Sequence, residues 1–169
     1  MAENIILKAR VEKMEMANPI TTSAGVATAT WEELPLTLRD DMVSIIENEP
    51  EESEVFSHEN DAAEDYDVAG TGMKMTGSFI KATYDQLVTL MGGLKEGEVG
   101  SEKFAKTSKT LLLNKSFRLT LRGGGTIVIP NAKGSVRAEL NVGYGGVSKF
   151  PFTFKLLQAS ATWDCVIQW

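Results

Sequence analysis

Five segments of the chain alternate apolar and polar residues with the period of two that gives a strand one core-facing side. Ile5, Leu7, Ala9 and Val11 alternate with Ile6, Lys8, Arg10 and Glu12. Phe117, Leu119 and Leu121 alternate with Arg118, Thr120 and Arg122. Val136, Ala138, Leu140 and Val142 alternate with Arg137, Glu139 and Asn141. Phe150, Phe152, Phe154 and Leu156 alternate with Lys149, Pro151, Thr153 and Lys155. Trp163, Cys165, Ile167 and Trp169 alternate with Asp164, Val166 and Gln168. Less regular strand candidates are Ala27–Trp31, Met42–Ile46, Ser53–Ser57, Gly72–Ile80 and Thr126–Pro130. Gly123-Gly124-Gly125, Asn131–Gly134 and Gly143–Gly146 read as the turns between them, because glycine supplies positive φ at little cost. Consecutive antiparallel strands with half-polar faces predict a mainly β fold, a sandwich or barrel.

One helix is predicted, over about 83–92. Thr83 can cap it, and Gln86 stands three residues on, as in a capping box. Asp85 suits the first turn, and Gly92-Gly93 forms a C-cap. Tyr84, Leu87, Val88 and Met91 make its apolar stripe, which should pack on a sheet. The stretch Leu94–Thr110 mixes Gly, Glu, Lys and Ser and reads as a surface loop.

Charge changes the picture most. Between Glu47 and Asp67 the chain carries ten acids and no Lys or Arg, which predicts a long acidic loop or hairpin over about 47–67. Residues 1–80 hold a formal charge of −12 and residues 81–169 one of +6. Such a chain can attract its own copies head to tail, and is less suited to gripping nucleic acid, which favours one basic face. The expected inter-subunit contact sets Glu49, Glu51, Glu52 and Glu54 of one copy against Lys103, Lys106, Lys109 and Lys115 of the next. Like charges and low hydrophobicity leave the acidic segment mobile in a free subunit.

Composition bounds the rest. The 169 residues suffice for one domain with a real core, and 43% hydrophobic with 24% charged residues is ordinary for a globular protein. No apolar run approaches the roughly 20 residues of a membrane helix. Met1-Ala2-Glu3-Asn4-Ile5 lacks a basic start and a long apolar stretch, so no signal peptide is expected. The lone Cys165 excludes an internal disulfide, which fits a reducing cytoplasm, and its place beside Trp163 and Ile167 predicts a core role. His58, the only histidine, has no nucleophile signature near it, so no catalytic residue is expected. Cys/His metal sites are excluded by arithmetic. Asp65, Asp67 and Gly70 match positions 1, 3 and 6 of a calcium loop, but Ala69 and Thr76 stand at positions 5 and 12, where ligands are needed. No metal or cofactor is expected. Trp31, Phe117, Phe152 and Phe154 read as structural aromatics.

The order of features is similar to a known family. Thr30-Trp31-Glu32-Glu33-Leu34 follows a first strand and a small-residue loop. Two strands then flank an acidic tip at Glu49-Pro50-Glu51. Val68-Ala69-Gly70-Thr71-Gly72 leads into the strand Met73–Ile80, the helix Tyr84–Met91 and Gly92-Gly93. Phe117–Arg122, the glycine turn, Thr126–Pro130, Ser135–Val142 and Phe150–Leu157 close the series. Over nearly all of 1–169, read as one domain, this succession resembles the major tail protein, or tail tube protein, of long-tailed bacteriophages.

The resemblance implies a β-sandwich with one flanking helix, six copies in a ring, and sheets joined around a lumen through which the genome passes. Rings stack head to tail, and the long loop, here Glu47–Asp67, reaches a neighbouring copy. Implied partners are the chain itself, tape-measure and tail-tip or terminator proteins, and DNA in transit without specific binding; no membrane is implied. The implied location is the virion tail, after assembly in the host cytoplasm. Tube proteins of contractile injection or secretion machines share the fold, and a monomeric β-sandwich that binds carbohydrate or protein is the alternative from another class. Family lumens tend to be negative, yet the polar faces here carry Arg118, Arg122, Arg137, Lys149 and Lys155. Those faces are therefore expected to meet a neighbouring subunit or neutralising acids.

Overall fold

The computed structural model describes residues 9–169. In chain order the elements are β1 (Val11–Ala17), α1 (Gly25–Thr28), β2 (Glu32–Glu33), β3 (Leu36–Thr37), β4 (Ser44–Glu47), β5 (Glu51–Phe56), β6 (Ala63–Ala69) and β7 (Met73–Ile80). They continue with α2 (Tyr84–Met91), β8 (Leu94–Glu96), β9 (Lys103–Ala105), β10 (Leu113–Leu121), β11 (Thr126–Val136) and β12 (Phe150–Leu156). The fold is mainly β and antiparallel, as the alternation predicts. The main sheet runs β2-β1-β10-β11-β12-β7, and both β3 and β4 pair with the far edge of β7.

One face of this sheet is the core. Met14, Met16, Met75, Phe79, Phe117, Leu119, Ile129, Phe152, Phe154 and Leu156 are buried on it. The phenylalanine rings stack in a chain: Phe79 to Phe152 at 4.5 Å between centroids, Phe152 to Phe154 at 5.9 Å, and Phe154 to Phe117 at 4.6 Å. Two glycines make room for them. Gly134 pairs with Phe154, and a Cβ there would lie 2.0 Å from the Thr153 carbonyl. Gly77 pairs with Phe152, whose ring would lie 2.7 Å from an added Cβ.

Helix α2 covers part of this core. Thr83 accepts from the Gln86 amide and Gln86 accepts from the Thr83 amide, so the predicted capping box is complete. Gly92, at φ 71°, closes the helix. The buried stripe is Leu87, Leu90 and Met91, with Val88 half-buried and Tyr84 exposed. The expected stripe is thus corrected: Leu90 replaces Tyr84, because the buried face follows Leu87, Leu90 and Met91 at i, i+3 and i+4.

Several sequence expectations are corrected by strand pairing. Part of the first alternating segment, 5–8, lies outside the described residues; β1 starts at Val11 and runs on to Ala17. Asn131–Gly134 is not a turn, since β11 continues through it. Pro130 and Asn131 form a bulge opposite Ser116, which accommodates a proline without an amide donor. Val136 ends β11, so Val136–Val142 is not a strand; beyond it only Glu139 bridges, to Lys149. The last segment, 163–169, makes one bridge, Gln168 to Val128, and Trp169 is exposed. Ala27–Trp31 holds the end of the single turn α1 rather than a strand. The expected loop 94–110 contains the small hairpin β8–β9. The turns at 123–125 and 143–146 form as expected, and Gly123, Gly124 and Gly125 all have positive φ.

Two substitutions test this packing. Phe152→Ala should cost about 3–5 kcal/mol, the usual range for a buried phenylalanine. Gly134→Ala should cost about 1–3 kcal/mol, because fixed backbone opposes the new methyl. Urea unfolding of the two variants against the parent chain checks both; an unchanged midpoint for Gly134→Ala would mean that β11 and β12 separate freely there.

Candidate interaction site

The ribbon formed by β4 and β7 does not stop at the edge of the sheet. Glu47 pairs with Met73, the Asn48 amide donates to the Gly72 carbonyl at 2.9 Å, and the Thr71 hydroxyl donates to the Glu49 carbonyl at 2.8 Å. Beyond this waist the chain re-pairs as the hairpin β5–β6, from Glu51 opposite Ala69 to Phe56 opposite Ala63. The acidic segment is therefore an ordered-geometry hairpin, one of the two forms its composition predicts. At roughly 3.3 Å per residue it is about 20 Å long.

Every residue of β5 and β6 is exposed, including Val55, Phe56, Tyr66 and Val68. Its polar contacts are internal. The Tyr66 hydroxyl donates to Glu52 at 3.1 Å, and Ser57 and Asn60 donate to Glu64 at 3.0 and 3.3 Å. Asp65 and Asp67 accept from the amides of Tyr66 and Val68, each at 2.9 Å. Among the described residues, no Lys or Arg pairs with any acid of the hairpin. A two-stranded hairpin alone in water is only marginally stable.

The face of the main sheet opposite the core divides into two regions. Over β1 and β10 it is covered and neutralised. Glu15 is only 4% exposed. It receives Lys13 at 2.8 Å and Arg118 at 2.6 and 2.7 Å. Trp31 lies over the Arg118 guanidinium at 4.6 Å and donates its indole N–H to the Val26 carbonyl at 3.4 Å. Trp31 is half-buried and belongs to this cation–π cover, whereas Phe117, Phe152 and Phe154 lie in the core. Burial pushes the Glu15 carboxyl up, but the hydrogen bonds from Lys13 and Arg118 outweigh it and hold the group below its ordinary range.

Over β4, β7, β12 and β11 the face is open at the end that carries Lys74, while Ser78 and Pro151 at the other end are buried, and register orders its side chains into rows. Lys74 stands opposite Lys155, and Lys155 opposite Lys133. Two residues along, Ser44, Thr76, Thr153 and Ser135 form a parallel row of hydroxyls. Lys74, Lys133 and Lys155 are exposed and have no carboxylate partner among the described residues. Like charges directly opposed across strands are unfavourable, by roughly 0.2–1 kcal/mol per pair. At the far end of the face Asp41 accepts from Ser78 and from Lys149, the latter at 3.3 Å. The Ser78 hydrogen bond, then Lys149, hold the Asp41 carboxyl below its usual range against the opposing effect of burial.

The structure places Glu51, Glu52 and Glu54 on β5 and Glu49 at the waist. Their expected lysine partners lie on separate elements: Lys103 on β9, Lys106 and Lys109 in the loop after it, and Lys115 on β10, where it donates to Asn18 at 3.0 Å. Within one chain the two sets make no ion pair among the described residues. Sequence reading missed the row Lys74–Lys155–Lys133, because its members lie far apart in the chain and only register aligns them. Cys165, expected in the core, is half-buried, and burial pushes its thiol up. Compared with known proteins, the sequence matches no family model and no curated protein.

The Glu15 cluster gives a pH test. A carboxyl with a lowered pKa contributes stability that is present above its unfolded pKa and lost as pH falls through the folded one. Arg118→Met removes one of the donors that lower it, so acid unfolding of this variant should begin at higher pH than in the parent. Circular dichroism against pH, with Glu15→Gln as the control that deletes the titration, checks this.

Proposed function

We propose that this chain is a structural subunit that assembles with its own copies, as a tail tube protein of a long-tailed phage does. Rings, most simply of six copies, stack head to tail into a tube that conducts the genome. Tape-measure and tail-tip or terminator proteins then bound the tube, the place of work is the virion tail, and the chain performs no catalysis. A single observation carries this reading: the ribbon β4–β7 extends into a hairpin whose every strand residue is exposed. A segment that buries nothing in its own subunit gains its free energy from contact with something else. Exposed sheet edges, here β2, β3 and β4, are likewise liabilities that pairing between copies removes. The order of sequence features, which resembles that family along nearly the whole chain, supports the same assembly.

Sedimentation velocity and negative-stain microscopy of the concentrated protein test the proposal. Rings or tubes with a central hole are the expected result. Monomer alone at high concentration, in both low and moderate salt, would sink it. Deleting residues 51–69 should leave the main sheet folded, because no core residue lies in that span, and should abolish stacking.

A further inference from the structure

Among the described residues, two surfaces of opposite charge lie on one molecule without partners. The hairpin β5–β6 follows the ribbon of β4 and β7 beyond Glu47 and Met73, at the end of the face that carries Lys74. Among the described residues its acids make no ion pair with that lysine row.

We propose that the acidic hairpin of one copy lies along the outer face of β4, β7, β12 and β11 of the next copy, with its carboxylates over the row Lys74–Lys155–Lys133. The proposal rests on the self-assembly reading and names the surface that receives the hairpin. Beside that row lie the hydroxyls of Ser44, Thr76, Thr153 and Ser135, which can donate to carboxylates. The contact answers both faults of the free subunit. It sets opposite charge against three opposed lysines, and it gives a marginal two-stranded ribbon a surface to rest on. Two different patches meet, so the contact is heterologous and propagates from copy to copy. It also replaces the loop and strand lysines 103–115 as the basic side of the head-to-tail contact.

The experiment mixes full-length copies of normal and heavy-isotope protein, couples amines to touching carboxylates with a zero-length carbodiimide, and reads the linked peptides by mass spectrometry. In parallel, sedimentation measures assembly of a variant carrying Lys74→Gln, Lys133→Gln and Lys155→Gln, with circular dichroism to confirm its fold. Expected are light-to-heavy links from Glu51, Glu52, Glu54 or Asp67 to Lys74, Lys133 or Lys155. The variant should need about tenfold more protein to assemble, the combined effect of several weak pairs. Assembly with hairpin links only to Lys103–Lys115, or an unaltered variant, overturns the proposal and leaves self-assembly standing. Absence of both particles and light-to-heavy links overturns self-assembly as well. If the variant assembles normally but loses a retention of duplex DNA that the parent shows, the row faces nucleic acid and the proposal falls. Should the variant fail to fold, the links in the parent protein decide alone.

Discussion

The fold depends on two phenylalanines of β12 lying over glycines on the strands at either side. Phe154 needs Gly134 and Phe152 needs Gly77, because neither ring could settle if the facing residue carried a methyl. From these two contacts the ring chain extends to Phe79 and Phe117, and so ties β7 to β10 across the centre of the sheet. Dense packing on one face fixes register, and a slip of one residue would turn every side chain over. The opposite face inherits its order from that register. Lysines align with lysines and hydroxyls with hydroxyls because the phenylalanines behind them permit no other pairing.

Topology then sorts the charge. Glu15 sits where β1 meets β10, Lys13, Arg118 and Trp31 close over it, and Glu33 lies 4.0 Å from Lys13, so that two acids there meet two cations. The other part has cations and hydroxyls but no acids in its rows. The acids that could balance it are carried beyond the sheet by the ribbon of β4 and β7. Among the described residues, one subunit therefore holds complementary charges that it does not bring together, and the imbalance between the two halves of the sequence becomes a difference between two surfaces.

Much of this was legible in the sequence where local signals and pairing agree. Phe150–Leu156 alternates and is paired along its length, so pattern and strand coincide. Thr83 and Gln86 cap α2 with contacts only three residues apart, which local sequence determines. Where tertiary demands intervene, the signals mislead. Asn131–Gly134 has turn composition, but Asn131 donates from its amide to the Gln158 carbonyl at 3.1 Å, and Gly134 is required beneath Phe154. Val136–Val142 alternates well, yet Leu140 and Val142 are exposed because, among the described residues, no strand extends beside them. The lysine row was illegible for a further reason: it is a product of register among three strands that are distant in sequence.

The central claim is that the chain comprises a self-sufficient sheet and an acidic hairpin stabilised only by another copy. Hydrogen exchange measured on dilute and on concentrated protein tests it most directly. The account predicts that amides of β7, β10, β11 and β12 are protected in both samples. Amides of 51–69 should exchange fast in the dilute chain and slowly once copies associate. Equal protection of 51–69 in both samples would contradict it.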